Sequence, residues 1–67
     1  MIEVRINGKK ELFEVETPLA DFLAKKGIKI SSVVVEYNGS IVPREELDEV
    51  RLKDGDKVEV LHLVGGG

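Results

Sequence analysis

The sequence ends in three consecutive glycines, Gly65-Gly66-Gly67, and we expect the last of them to carry a free carboxylate. Glycine loses more backbone freedom on folding than other residues, so a run of glycines is poorly suited to ordered structure. Without side chains such a run can enter a narrow channel, and three extended residues reach about 10 Å. The pattern indicates a tail that enters another protein, although an incidental frayed end would have the same composition.

A carboxylate at the end of such a tail becomes reactive when one of its oxygens is made a good leaving group. A partner enzyme can do this by transferring AMP from ATP to the Gly67 carboxylate. A sulfur nucleophile can then displace AMP and leave a thiocarboxylate, which is a better nucleophile than the carboxylate. The tail would then present one sulfur atom on a protein that the next enzyme can recognise.

Composition narrows the classes of function. The chain has 67 residues, enough for one domain, and no cysteine, so it can form no disulfide and has no thiol nucleophile. The net charge is −3 and the basic residues form no stripe, which argues against a nucleic acid partner. The longest apolar run falls far short of the ~20 residues that span a bilayer, and the N-terminus is unlike a secretory signal. We expect a cytoplasmic protein without membrane contact that is monomeric when free.

Neither a metal site nor an active site is indicated within the domain. His62 is the only histidine, and one histidine without cysteine does not make a zinc site. Asp54 and Asp56 resemble part of a calcium loop, but no EF-hand spacing follows, and both suit a turn around Gly55. Because no nucleophile is paired with a base, we expect a protein that is not an enzyme and binds no metal or cofactor of its own.

The start of the chain predicts a β-hairpin. Apolar and charged residues alternate over Ile2–Ile6, which is typical of a half-buried strand. Asn7-Gly8 is a strong signal for a hairpin turn, because both turn positions need positive φ. The alternation of Phe13 and Val15 with charged residues predicts the return strand.

A short helix is predicted after the hairpin. Thr17 suits its N-cap and Pro18 its first position, where no N–H is needed. Leu19, Phe22 and Leu23 form an apolar stripe. Gly27 is placed to end the helix, which we predict over Pro18–Lys26.

Three further strands are predicted in the second half. They are Val33–Tyr37, Ser40–Val42 after an Asn38-Gly39 turn, and a strand from Lys57 to about Val64 after the Asp54–Asp56 turn; a single helical turn is predicted over Arg44–Leu47. The order β-β-α-β-β-β predicts an α+β fold with one main helix on one face of a mixed sheet. The predicted core consists of Ile2, Val4, Ile6, Phe13, Val15, Leu19, Phe22, Leu23, Val33, Val35, Leu47, Leu52, Val58 and Val60.

Two stretches and the tail resemble a known family. The stretches are Asn38–Arg44 (NGSIVPR) and Leu52–Val60 (LKDGDKVEV), and the tail ends in Gly66-Gly67. Over its whole length the chain is similar to the ubiquitin-like sulfur carriers of the ThiS/MoaD superfamily, and the first stretch favours the carriers of thiamine biosynthesis. This resemblance implies a β-grasp (ubiquitin-like) domain over 1–64, with its last strand parallel beside the first, and a flexible glycine tail over 65–67.

The resemblance also implies a function and partners. A ThiF-like adenylyltransferase would use ATP to activate the carboxylate of Gly67, a sulfur-donor protein would supply sulfur, and a thiazole synthase (ThiG-like) would receive it for thiazole formation. Molybdopterin synthesis and tRNA thiolation stay open as alternative pathways. A protein modifier joined through Gly67 to target lysines would need the same adenylate, and a plain interaction domain with an incidental tail also stays open.

The last strand offers a candidate docking surface. Period two puts Val58 and Val60 on one face and Leu61 and Leu63 on the other, which a single helix would leave uncovered. An apolar patch on a small protein often marks a protein contact. We therefore expect Leu61 and Leu63, with Val34, to bind the adenylyltransferase and then the acceptor enzyme, unless a β-bulge shifts the register and buries the leucines.

Overall fold

The computed structural model describes residues 1–63. The strands are β1 (Ile2–Ile6), β2 (Lys9–Phe13), β3 (Thr17–Pro18), β4 (Val33–Tyr37), β5 (Ser40–Val42), β6 (Arg51–Leu52) and β7 (Lys57–His62). The helix α1 is Leu19–Lys25, and two 3₁₀ helices cover Ile30–Ser32 and Arg44–Glu49. The predicted end of the last strand at Val64 and the predicted tail over 65–67 lie outside the described residues.

One mixed sheet forms the framework of the domain. Its strand order is β2-β1-β7-β4-β5, and the first and last strands lie side by side and parallel, with Arg5 opposite Lys57 and Ile6 opposite Val58. The other neighbours in this sheet pair antiparallel. With α1 packed on one face, this is the β-grasp fold, as the resemblance predicted.

The first hairpin is shorter than predicted. Asn7 and Gly8 have φ values of 53° and 81°, as a tight turn between twisted strands requires. Register pairs Ile6 with Lys9 and Ile2 with Phe13, so β1 has no residue left to pair beyond Phe13. The chain bends away there, and the prediction that Val15 belongs to the return strand and the core was wrong: its side chain is 69% exposed.

The helix begins differently from the prediction but ends at the predicted glycine. Pro18 precedes the first helical residue, and the Thr17 hydroxyl donates to the Val15 carbonyl oxygen (2.9 Å) instead of capping the helix. Thr17 and Pro18 form β3, which pairs with β6, a small second sheet that the sequence pattern did not predict. At the other end Gly27, with a φ of 73°, closes α1 as predicted.

The core lies between the sheet and α1, and it is made of aliphatic side chains with one aromatic ring. All of its buried hydrophobic residues were predicted: Val4, Ile6, Leu19, Phe22, Leu23, Val33, Val35, Leu47, Leu52, Val58 and Val60. Ile2 and Phe13 are only partly buried and pack at its margin, since they lie at the outer end of the hairpin. Phe13 meets Phe22 edge to face, with ring centroids 5.7 Å apart. Within residues 1–63 no helix is long and apolar enough to cross a membrane.

Candidate functional site: strand β7 and the open face of the sheet

Strand β7 runs through the middle of the sheet toward the glycine tail, and its two faces differ. Val58 and Val60 are buried against α1, whereas Leu61 is 48% exposed on the face that α1 does not cover, which we call the open face. The register with β4 runs without interruption from Val33 opposite His62 to Tyr37 opposite Val58. No bulge interrupts this pairing, so the predicted exposure of Leu61 is confirmed.

An apolar patch lies on the open face next to the start of the tail, formed by Leu61, Val34, Leu63 and Ile41. Leu61 lies directly opposite Val34, which is partly buried. The Leu63 N–H donates to the Ser32 carbonyl oxygen (2.9 Å), which continues the β4–β7 pairing and leaves the Leu63 side chain 50% exposed. Leu63, Val34 and Ile41 line a shallow cleft of about 220 Å³.

Ile41 is a member of this patch that the sequence reasoning missed. Its side chain is 66% exposed, and it lies opposite Glu36 on β4. The signal was present: an Asn-Gly turn of two residues pairs Tyr37 with Ser40, and therefore Glu36 with Ile41. Because Glu36 is one residue from buried Val35, both Glu36 and Ile41 must lie on the open face.

Asn7 fastens β7 on the side away from β4. Its backbone N–H donates to the Val58 carbonyl oxygen (2.9 Å). Its side chain then makes two further bonds with the next residue on that edge: Oδ1 accepts from the Val60 N–H (2.7 Å) and Nδ2 donates to the Val60 carbonyl oxygen (3.2 Å). Because β1 ends at Ile6, the side-chain amide takes the place of a further β1 residue in the pairing with β7. It therefore holds β7 as far as the residue before Leu61. Sequence reasoning assigned Asn7 only to the turn.

A polar cluster around Asp56 joins the turn before β7 to the β4–β5 hairpin. Its carboxylate accepts from the Tyr37 hydroxyl (2.5 Å), the Lys53 N–H (2.7 Å) and Asn38 Nδ2 (3.1 Å). Partial burial alone would raise the pKa of Asp56, but these hydrogen bonds hold that pKa below its usual value. Partial burial and the bond to Asp56 raise the pKa of Tyr37 to about 12. Asp56 is therefore a turn residue, as predicted, and it also anchors the entry to β7.

Asp54 and His62 take different positions around the same strand. Asp54 Oδ1 accepts from the Glu3 N–H (2.8 Å), which ties the turn to β1. His62 lies on the α1 side of β7, where it lines a groove with Phe22 and Lys26. Within residues 1–63, no three His, Asp or Glu side chains lie close enough together to hold a metal ion.

Comparison with known proteins places this arrangement in a family. The model of the ThiS family matches residues 3–67, which is nearly the whole chain and includes the three glycines. The chain belongs to the ThiS family. It is 37% identical over 65 residues to the sulfur carrier protein ThiS of Bacillus subtilis, covering 96% of this chain and 98% of that protein.

A solved ThiS structure matches the fold closely. The crystal structure of the thiamine biosynthesis protein ThiS from Geobacter metallireducens superposes with a TM-score of 0.82 at 32% identity, and covers 98% of this chain and 100% of that one. The fold described above is therefore supported by a solved relative.

Other relatives are longer than this chain. The thiazole synthase of Paramagnetospirillum magneticum is 36% identical over 62 residues, which cover 92% of this chain but only 19% of that protein. This ThiS-family chain spans about a fifth of the length of the thiazole synthases that it matches. A segment like it is therefore built into proteins that carry that name.

The described residues form an apolar surface that a partner could contact. Leu61 and Leu63 lie together with Val34 in the apolar patch, as predicted. Asn7 and Asp56 fix β7, which carries Leu61 and ends directly before Leu63. The predicted reactive group of this ThiS-family chain, the carboxylate of Gly67, and the tail residues Gly65 and Gly66 lie outside the described residues.

Proposed function

We propose that the chain is a sulfur carrier of thiamine biosynthesis and that its working group is the carboxylate of Gly67. The observation that carries this proposal is the match to the ThiS family, which extends through the glycines that follow β7. The relative from Bacillus subtilis, which has nearly the same length, is named a sulfur carrier protein. In this role the domain is the handle and catalyses nothing itself.

Loading of the tail takes two steps, both on partner proteins. On a ThiF-like adenylyltransferase, a Gly67 carboxylate oxygen attacks the α-phosphorus of ATP and pyrophosphate leaves. A hydrosulfide equivalent from a sulfur-donor protein then attacks the carbonyl carbon of the acyl-adenylate, and AMP leaves with the oxygen that it bonded. The product is a thiocarboxylate, in which one carboxylate oxygen has been replaced by sulfur.

Unloading takes place on the acceptor enzyme, which we propose to be a thiazole synthase. Support for this partner comes from the thiazole synthases that contain a segment similar to this chain. The thiocarboxylate of Gly67 would supply its sulfur for thiazole formation in exchange for an oxygen atom from the acceptor or from water, and the carrier would return to the carboxylate form.

The apolar patch is the surface by which we propose that the domain docks on these enzymes. Its leucines, Leu61 near the end of β7 and Leu63 just after it, precede the tail in sequence and are half exposed. Both Asn7 and β4 fasten β7 up to this point, so docking at Leu61 and Leu63 would bring the tail to a fixed starting position. Use of one surface for both enzymes would make them bind in turn, as a carrier requires.

Complementation tests the pathway. A Bacillus subtilis strain that lacks its own ThiS needs thiazole or thiamine for growth if the carrier is required there, and this chain should restore growth without either. The same chain without Gly66 and Gly67 is the matched control and should not. Growth restored by both, or by neither, would contradict the proposal.

Mass spectrometry of the protein from its native cells tests the chemistry. We expect an intact mass that is higher by the replacement of one oxygen by sulfur, located at Gly67. A population found instead in conjugates with other proteins would favour a protein modifier, which uses the same adenylate.

A further inference from the structure

The open face carries a row of three cations that crosses the first, second and last strands. Register places Lys10 opposite Arg5 on the hairpin, and Arg5 opposite Lys57 on the parallel neighbour. All three side chains are exposed. Arg5 and Lys57 are each next to a core residue in their own strand, so they point to the open face, and Lys10 shares that face because it lies opposite Arg5. We call Lys10, Arg5 and Lys57 the cation row.

A pair of carboxylates lies one step closer to the tail on the same face. Glu59 follows Lys57 by two residues and lies directly opposite Glu36 on β4. Both are half-buried, and they line a shallow hollow of about 450 Å³ together with Lys57. We call Glu36 and Glu59 the carboxylate pair. Beyond it, again by two residues, Leu61 and Val34 begin the apolar patch.

In both groups, residues of like charge lie directly opposite each other across the sheet. Like charges directly opposite each other across a sheet are destabilising. Among the described residues, the only ion pair within 4.0 Å joins Lys10 and Glu3, at 3.8 Å. Within the part of the chain that the structure describes, neither Glu36 nor Glu59 therefore has a cation at ion-pair distance, although Lys57 lines the same hollow. Packing of the core does not require acidic residues at the two positions of the carboxylate pair on the open face.

We propose that these charges set the orientation in which the domain docks on its adenylyltransferase, which presents a lysine or arginine to the carboxylate pair and acidic side chains to the cation row. This inference rests on the proposed function. Apolar, negative and positive groups follow one another along β7, away from the tail, so a complementary partner surface matches them in one direction only. The apolar patch alone would allow the domain to bind the partner in several rotational orientations, and the charged groups restrict it to one.

The carboxylate pair also gives a signature that separates docking from a structural role. Replacing Glu36 by lysine puts a cation opposite Glu59, so the free domain should gain stability. On the partner the same lysine would meet a like charge, which is costly in an interface. Stability and docking should therefore change in opposite directions.

The experiment uses the full chain and the ThiF-like adenylyltransferase from the same genome. Pyrophosphate release gives KM and kcat for the carrier, and urea unfolding gives the stability of the free domain. For Glu36→Lys we expect KM to rise about tenfold, with kcat little changed, while the urea midpoint rises. Asp21→Lys, an equal change of charge on α1 and therefore on the covered side of the sheet, should leave KM within about twofold.

The cation row provides a second, independent arm. Lys10→Gln with Lys57→Gln should also raise KM, and it should make KM less sensitive to salt. If the enzyme adenylates the wild-type chain and Glu36→Lys leaves KM unchanged, or if KM rises together with a fall in the urea midpoint, the inference is overturned. Absence of adenylation of the wild-type chain would instead contradict the proposed function.

Discussion

Asn7 and Val60 are joined by two hydrogen bonds that use both polar atoms of the Asn7 side-chain amide. The amide extends the pairing of β7 beyond the end of β1, which stops at Ile6. Strand β7 is therefore held from two sides until just before Leu61, and from the β4 side alone at Leu63. The proposed docking surface at Leu61 is therefore carried by a strand that hydrogen bonds hold on both edges.

Asn7→Gly tests this fastening. Glycine accepts the φ of 53° at this position, so the substitution removes the two side-chain bonds without straining the turn. We expect the free energy of unfolding to fall by about 1–3 kcal/mol, because the Val60 N–H and carbonyl lose their partners. Urea unfolding measures the loss. Asn7→Asp keeps the acceptor for the Val60 N–H and should lose less; equal stability of Asn7→Gly and the wild type would contradict the role of the amide.

The Asp56–Tyr37 pair predicts how stability depends on pH. The pKa of Asp56 is lower in the folded protein than its ordinary 3.8, so its contribution is present above pH 3.8 and is lost as the pH falls through the lower folded value. The pKa of Tyr37 is raised from 10.0 to about 12, so its contribution is present below pH 10.0 and is lost as the pH rises toward 12.

Urea unfolding across this pH range measures both effects. Tyr37→Phe keeps the ring but removes the hydroxyl, so its stability should no longer fall through tyrosine ionisation at high pH, and the pKa of Asp56 should move upward. An alkaline loss of the same size in Tyr37→Phe would show that another group causes it.

Sequence patterns predicted the core because burial follows simple periodicity. Alternation in the strands and the stripe of α1 identified the buried residues of the main sheet and of the helix, and Leu47 and Leu52 were predicted outside those patterns. The mistaken addition, Val15, came from extending the alternation past the point where β1 has a partner. The length of a strand depends on where its partner strand ends, and the residue pattern of one strand does not show where that is. Thr17 was misassigned for the same kind of reason: β6, which is distant in sequence, recruits Thr17 and Pro18 into a strand pair.

The candidate site was predicted in part. Leu61 and Leu63 follow from period two along one strand, and the structure places them with Val34 in one patch. The roles of Asn7 toward Val60 depend on pairing across 53 residues of sequence, which local patterns do not specify. The cation row and the carboxylate pair likewise become recognisable only after the register of four strands is known.

Removal of Gly66 and Gly67 should separate function from stability. Among the described residues, the buried core lies within residues 4–60, so the deletion leaves every residue of that core in place. We expect no adenylation by the ThiF-like enzyme, while the urea midpoint stays within error of the wild type. Replacing the three glycines by alanines keeps the length of the tail and tests whether the absence of side chains matters; we expect slower adenylation. Normal adenylation of the shortened chain would contradict the assignment of the reactive group.

Leu61→Asp tests the apolar patch. The side chain is half exposed and lies outside the core, so the variant should fold, which circular dichroism and urea unfolding can verify. A carboxylate at the centre of an apolar contact would be buried without a partner on docking, and we expect adenylation by the ThiF-like enzyme to fall by about a hundredfold or more in kcat/KM.

The control for this change is Leu12→Asp. Leu12 is also on the open face, opposite Glu3, and is 56% exposed, but it lies on the edge strand β2, two strands from β7. It therefore receives the same substitution on the same face away from the patch, and its adenylation should fall far less. If folded Leu61→Asp is adenylated at the wild-type rate, the patch is not the docking surface; if both variants lose activity equally, the contact is not centred on Leu61.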